Sequence, residues 1–203
     1  MKTLIIHPKD ITTTFLTGIY KNLANKTVIT GGMTNLRKHI QDHDRILMMG
    51  HGSPAGLFSV GQFPDAYPYI FDESMVDMLQ DKITVYIWCN ADKFVQRHSL
   101  YGFYTGMFIS EVNEALYFNF WNLDNLERLI DESNYAFSAI VAKHIDEGLF
   151  DMYKNVVAGY GLLAKNPIAR FNLDRLYLNL PTQPLMSGKD FSITKYNLQH
   201  GCN

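Results

Sequence analysis

Two side chains in this sequence can carry nucleophilic chemistry, and each closes an apolar run. His51 follows Arg45-Ile46-Leu47-Met48-Met49 with a glycine on either side, Gly50 and Gly52. Cys89 follows Ile83-Thr84-Val85-Tyr86-Ile87-Trp88. A free thiol, with a pKa of about 8.5, is little ionised at neutral pH. An imidazole that takes its proton, or stabilises the thiolate, turns it into a nucleophile. The backbone N–H groups of Gly52 and Cys89 can donate to an oxyanion developing beside such a sulfur. Gly50 and Gly52 also let the chain turn sharply and carry His51 outward.

The elements that must position this pair alternate in type. Residues 3–7, 27–30, 45–49 and 83–88 read as strands. Between them, Phe15, Leu16, Ile19, Tyr20 and Leu23 recur at helical spacing after a threonine cluster able to cap a helix at residues 12–14. Leu36 and Ile40 mark a short helix capped by Thr34, and Met75, Val76 and Leu79 mark one capped by Asp72. The third and fourth strands are apolar at nearly every position, as strands covered on both faces are. Strand and helix in alternation predict an α/β fold: a three-layer α/β/α sandwich around a mostly parallel sheet of about six strands. In such a sheet, ligands bind beyond the carboxyl ends of the strands, where His51 and Cys89 fall. Neighbouring strands lie about 4.8 Å apart, so the two side chains can meet at one edge.

Residues 56–60 and 67–71 read as small strands of an excursion after His51. Residues 104–110 read as a fifth strand, and 111–118 and 123–147 as helices, the second with a break near Ser133-Asn134. Residues 150–164 fit a helix or a strand. The chain from Pro181 onward has no strong signal before a late strand at 191–194.

An apolar strand ending in His-Gly, followed by one ending in Cys, resembles the caspase-like cysteine peptidases: caspases, metacaspases, the clostripain-like and gingipain-like enzymes, and the separase and CHAT families. The matching segments are RILMMGHGSPAGLF (45–58) and KITVYIWCNAD (82–92), with YTGMFISEVNEA (104–115) similar to the fifth strand and following helix of that group. The resemblance implies one caspase-like domain over residues 1–203, helical and irregular from about 120. It implies a cysteine endopeptidase working through an acyl-enzyme. His51 would be the general acid/base, Cys89 the nucleophile, and Gly52 with Cys89 the oxyanion donors. It implies a peptide or protein substrate and no cofactor. Caspases carry Gln-Ala-Cys-Arg-Gly at the nucleophile, where this chain has Ile87-Trp88-Cys89-Asn90-Ala91. Ile87 also stands where metacaspases often place an Asp that binds a basic substrate residue. Substrate preference is therefore not carried over. Asp92 and Glu111 are the acids placed to favour Lys or Arg at the same edge.

Composition narrows the alternatives. The 203 residues are 47% hydrophobic and 19% charged, a globular balance, with a net charge of −2. With no basic excess, nucleic acid is not an expected partner. No apolar run approaches the roughly 18 residues of a membrane span. The start, Met1 to Pro8, does not read as a secretory signal, and two cysteines, Cys89 and Cys202, fit a reducing cytoplasm rather than a disulfide scaffold. Gly-x-Ser-x-Gly and a phosphate-binding loop are absent, and the sixth residue after Cys89 is Val95 rather than the Arg of a tyrosine-phosphatase loop. His39 and His43 stand four apart with Asp44 following, a metal-ligand spacing that reads better as a solvated helix end. No metal site is expected. Two other functions stay open: a catalytically inactive caspase-like scaffold that binds a peptide or partner protein, and a doubly wound ligand-binding domain. The oligomeric state is open as well.

Overall fold

Strands that are apolar at every position need cover on both faces, and here each face has its own helices. The computed structural model describes residues 1–32, 35–63, 66 and 68–190. Among them run β1 (Thr3–Ile6), α1 (Thr17–Tyr20), β2 (Lys26–Ile29), α2 (Leu36–Gln41), β3 (Arg45–Met49), β4 (Gly52–Ser53), β5 (Gly56–Phe58), β6 (Tyr69–Asp72), β7 (Ile83–Ile87), α3 (Ala91–Arg97) and β8 (Gly102–Thr105). Then come α4 (Val112–Tyr117), α5 (Leu126–His144), α6 (Leu149–Tyr160), α7 (Pro167–Leu173), β9 (Leu176–Leu180) and β10 (Gln183–Ser187). Seven strands form the main sheet in the order β10-β9-β8-β7-β3-β1-β2. The pairs from β2 to β8 are parallel, and β8/β9 and β9/β10 are antiparallel.

Alternate residues of each strand feed two separate cores. Ile5, Leu47, Met49, Val85 and Phe103 pack with Leu16, Ile19 and Tyr20 around α1, and with Phe137 and Val141 of α5 and Val156 of α6. Leu4, Ile6, Ile46, Met48, Tyr86 and Tyr104 pack on the other face with Leu36 and Ile40 of α2 and Phe94 of α3. The architecture is mixed α/β with a seven-stranded, mostly parallel central sheet, compatible with three layers. No described helix is long and apolar enough to cross a membrane.

Several local expectations change. The start of the first helix is a 3-10 turn, Thr14–Leu16, with no side-chain cap, because the threonine hydroxyls are engaged elsewhere. Asn35 caps α2, its side chain accepting from the Lys38 N–H; Thr34, the expected cap, lies outside the described residues. Asp72 caps as expected, accepting from the Ser74 N–H, but the segment it starts is a 3-10 helix. The excursion is a three-stranded sheet, β4-β5-β6, and Tyr67 within it is outside the described residues. The helix over 123–147 does not break. Ser133 bonds Tyr160 Oη and the Asn134 amide donates to the Ser110 carbonyl inside an unbroken α5, while Asn134 Oδ1 stays buried without a hydrogen-bond partner. Residues 150–164 are mainly helical. The segment 191–194 and Cys202 lie outside the described residues.

His7, just past β1, is buried between Tyr20 Oη (2.9 Å) and Thr13 Oγ1 (3.1 Å). Burial disfavours its charged form and lowers its pKa from 6.5 to about 4. The unfolded chain therefore binds a proton between pH 6.5 and 4 that the folded chain refuses. Stability from this group is full above pH 6.5 and falls by about 3 kcal/mol as the pH drops to about 4. In urea titrations at pH 7 and pH 4.5, wild type is expected to lose clearly more stability than His7→Gln. Equal losses would contradict the assignment.

Candidate active site

The order of the strands fixes where the site lies. From β1 the chain goes outward to β2 through α1 on one face. It returns across the other face, through α2, to β3 on the opposite side of β1. The connections leaving β1 and β3 therefore diverge, and a crevice opens beyond their carboxyl ends. A narrow cleft of about 20 Å³, room for little more than one water molecule, sits there, lined by Thr13, Phe15, Gly50, His51, Cys89 and Phe108 among others. His51 and Cys89, delivered by the adjacent strands β3 and β7, thus share one cleft.

Local structure explains both placements. Gly50, at φ +138°, takes a backbone conformation that other residues rarely adopt and turns the chain out of β3. After Cys89, Asn90 is left-handed (φ 66°, ψ 27°) and turns the chain directly from β7 into α3. Thr105 Oγ1 donates to the Trp88 carbonyl at 3.0 Å and holds the backbone one residue before the sulfur.

Gly52 leads the β4–β5 hairpin. His51 and Phe58 are joined by a ladder hydrogen bond, so the next pair, Gly52 and Leu57, is a non-hydrogen-bonded one. The Gly52 N–H accordingly points away from β5, off the outer edge of the hairpin. The residue also has a packing role: a Cβ there would stand 2.2 Å from Trp88 Cδ1 and 2.7 Å from the Gly56 carbonyl oxygen.

Acids surround the pair. Nε2 of His51 lies 2.7 Å from Thr12 Oγ1, 3.7 Å from Asp10 Oδ1 and 3.6 Å from Glu111 Oε1. Cys89 Sγ lies 3.5 Å from the Phe108 carbonyl oxygen and 3.6 Å from Glu114 Oε1. Among the described residues no hydrogen bond joins His51 to Cys89. Burial, and after it the Glu114 carboxylate, push the thiol up to about 12. The resting sulfur is therefore a protonated thiol.

Glu111 stands where the sequence puts it, beside His51. Asp92 does not line the cleft. It lies in the first turn of α3 under Gly106, its Oδ1 is buried with no hydrogen-bond partner, and burial raises its pKa. The two acids expected to act together are separated in this way. No family model, curated protein or solved structure matches this chain. The assignment of the site therefore rests on its geometry. His43 is buried, not solvated as expected: its ring nitrogens bond the His39 carbonyl (2.6 Å) and Thr27 Oγ1 (2.9 Å) and tie the end of α2 to β2.

Three residues at the site escaped the sequence reading: Asp10, Thr12 and Glu114. The first two sit in the loop after β1, and that loop meets His51 because β1 lies beside β3. Glu114 accepts from the N–H groups of Ser110 (2.8 Å) and Glu111 (3.2 Å) through Oε2, capping α4, and this turns Oε1 towards the sulfur. The Glu111-x-x-Glu114 spacing before an apolar helix was the available signal.

Replacing Glu114 by Gln keeps an oxygen for the cap and removes the charge beside the thiol. Its alkylation by iodoacetamide is expected to speed up about tenfold at a fixed alkaline pH, roughly one unit of pKa. Because burial is the larger cause, the thiol stays above an ordinary one. An unchanged rate would show that the carboxylate does not act on the sulfur.

Proposed function

We propose that this chain is a caspase-like cysteine peptidase in which Cys89 is the nucleophile and His51 the acid/base. The observation that carries the reading is the single cleft, at the point where the strand order reverses, that receives both side chains from adjacent parallel strands. The His-Gly and Cys motifs at those strand ends support the family.

In the mechanism, the Cys89 thiol gives its proton to His51 as sulfur bonds to the substrate carbonyl carbon. The carbonyl oxygen takes the negative charge, for which the Gly52 and Cys89 N–H groups are the candidate donors. His51 returns the proton to the amine as the C–N bond breaks. Water then adds to the acyl-enzyme, losing a proton to His51, and Cys89 leaves as the thiol. Asp10 and Glu111 stabilise the imidazolium formed in between. The same acids make the cleft favour a basic residue before the scissile bond. The substrate is a peptide or protein, and no step requires a cofactor.

The reading is tested with peptide acyloxymethyl ketones carrying Arg, Asp or Leu next to the warhead. Wild type is expected to be labelled at Cys89, fastest by the Arg probe, with labelling lost in Cys89→Ala and strongly slowed in His51→Ala. A second reading, an inactive scaffold that binds peptides, is favoured by one observation: the resting thiol faces Glu114 and not the imidazole. It predicts equal, slow labelling of wild type and His51→Ala, with the peptide portion still bound.

A further inference from the structure

The loop after β1 holds His51 through a chain of three polar groups whose proton positions can be deduced. Asp10 Oδ1 receives both the N–H (2.8 Å) and the Oγ1–H (2.6 Å) of Thr12, and Thr12 Oγ1 is 2.7 Å from His51 Nε2. An ionised carboxylate accepts only, and a threonine hydroxyl has one proton to give. The Thr12 contacts hold the Asp10 carboxyl below its ordinary range, so it is ionised at neutral pH. The Thr12 proton is therefore committed to Asp10, and the lone pair left on Oγ1 must receive a proton from Nε2.

We propose that Thr12, backed by Asp10, is the positioning residue that fixes His51 as its Nε2–H tautomer and leaves Nδ1 as the nitrogen that takes the Cys89 proton. The catalytic half of this proposal rests on the peptidase reading; the tautomer does not. A relay of this kind does for the imidazole what a directly bonded carboxylate does in other hydrolases: it sets both the orientation and the reactive nitrogen. The charged or titratable groups facing His51 from the neighbouring elements are Asp10 after β1, Glu111 before α4, and His7, which burial keeps neutral. Both carboxylates lie beyond hydrogen-bond distance of Nε2, at 3.7 and 3.6 Å, so the Thr12 hydroxyl at 2.7 Å is the group that sets which nitrogen of the neutral ring carries the proton.

The experiment combines nitrogen NMR of the His51 ring in the full chain with peptide turnover. Wild type is expected to show a protonated Nε2 and an unprotonated Nδ1 when the ring is neutral. Thr12→Val removes the acceptor, and Asp10→Ala releases the hydroxyl proton to point at Nε2, so both should populate the Nδ1–H form. Thr12→Val should lower kcat by about 10- to 100-fold with KM within about twofold, and Thr12→Ser should restore kcat to within about threefold. An Nδ1–H ring in wild type, or a spectrum and kcat unmoved by Thr12→Val, would overturn the proposal. Turnover of no peptide, alongside the expected ring spectra, would overturn the peptidase reading and the catalytic half with it, while the tautomer assignment stands.

Discussion

On the proposed peptidase reading, His51→Ala is expected to lower peptide turnover by about a thousandfold or more, a barrier increase of roughly 4 kcal/mol. The size follows from the state of the thiol. Buried and placed beside Glu114, Cys89 is pushed up to about 12. At pH 7 such a group holds on the order of one thiolate per hundred thousand molecules. A pre-formed thiolate cannot sustain catalysis at that population, so the proton must leave for an acceptor as the sulfur attacks. His51 is the titratable base lining the cleft with Cys89. In the proposed mechanism it also protonates the leaving amine, so its loss removes both functions. Cys89→Ala should be as damaging, and the double variant no worse than either single one, because the two act as a unit. Progress curves at saturating peptide provide the check. More than a tenth of wild-type turnover in His51→Ala would mean that another group takes the proton, and the pairing would fail.

What the sequence disclosed, and what it hid, divide along a physical line. β3 and β7 were legible because both of their faces are covered: five consecutive buried positions, Arg45 to Met49, leave few alternatives to a central strand. The ends of those strands, and so His51 and Cys89, came with them. Glycines around His51 marked a sharp turn, and the structure supplies one at Gly50. The region after β8 was less legible because its helices bury polar groups. Ser133 and Asn134 look like a helix break until Tyr160 and the Ser110 carbonyl arrive from distant segments to bond the Ser133 hydroxyl and the Asn134 amide N–H. β10 has no buried position, which hid it; β9 does alternate, with Leu176 and Leu178 buried and Tyr177 and Asn179 half-buried, and that period of two was the available signal. The same principle governs the site. Its backbone-proximal residues lie at strand ends, but Thr12 and Asp10 act through a loop-to-loop hydrogen bond that no local pattern encodes. Asp92 shows the converse: an acid close to Cys89 in sequence is turned by the first helical turn towards Gly106 and Arg175.

Gly52→Ala should be among the most destabilising single substitutions near the cleft, costing about 2–3 kcal/mol in urea unfolding at pH 7. A methyl group there would lie 2.2 Å from Trp88 Cδ1, 2.6 Å from its Cγ and 2.7 Å from the Gly56 carbonyl oxygen. None of these can yield cheaply. Trp88 is buried, stacks edge-on against Tyr86 and Phe94, and donates its indole N–H to the Ser53 carbonyl at 3.1 Å. The Gly56 oxygen belongs to the facing strand of the hairpin, paired through Ser53. The methyl group is accommodated only if the β4–β5 hairpin lifts away from Trp88. Trp88 immediately precedes Cys89, and Gly52 immediately follows His51, so that movement alters the spacing of the pair as well as stability. On the proposed reading, activity per folded molecule is therefore expected to fall further than the folded fraction. Trp88→Phe relieves part of the clash and should recover some of the lost stability in the double variant. If Gly52→Ala is as stable as wild type, the hairpin is not seated on Trp88, and the packing argument for this position does not hold.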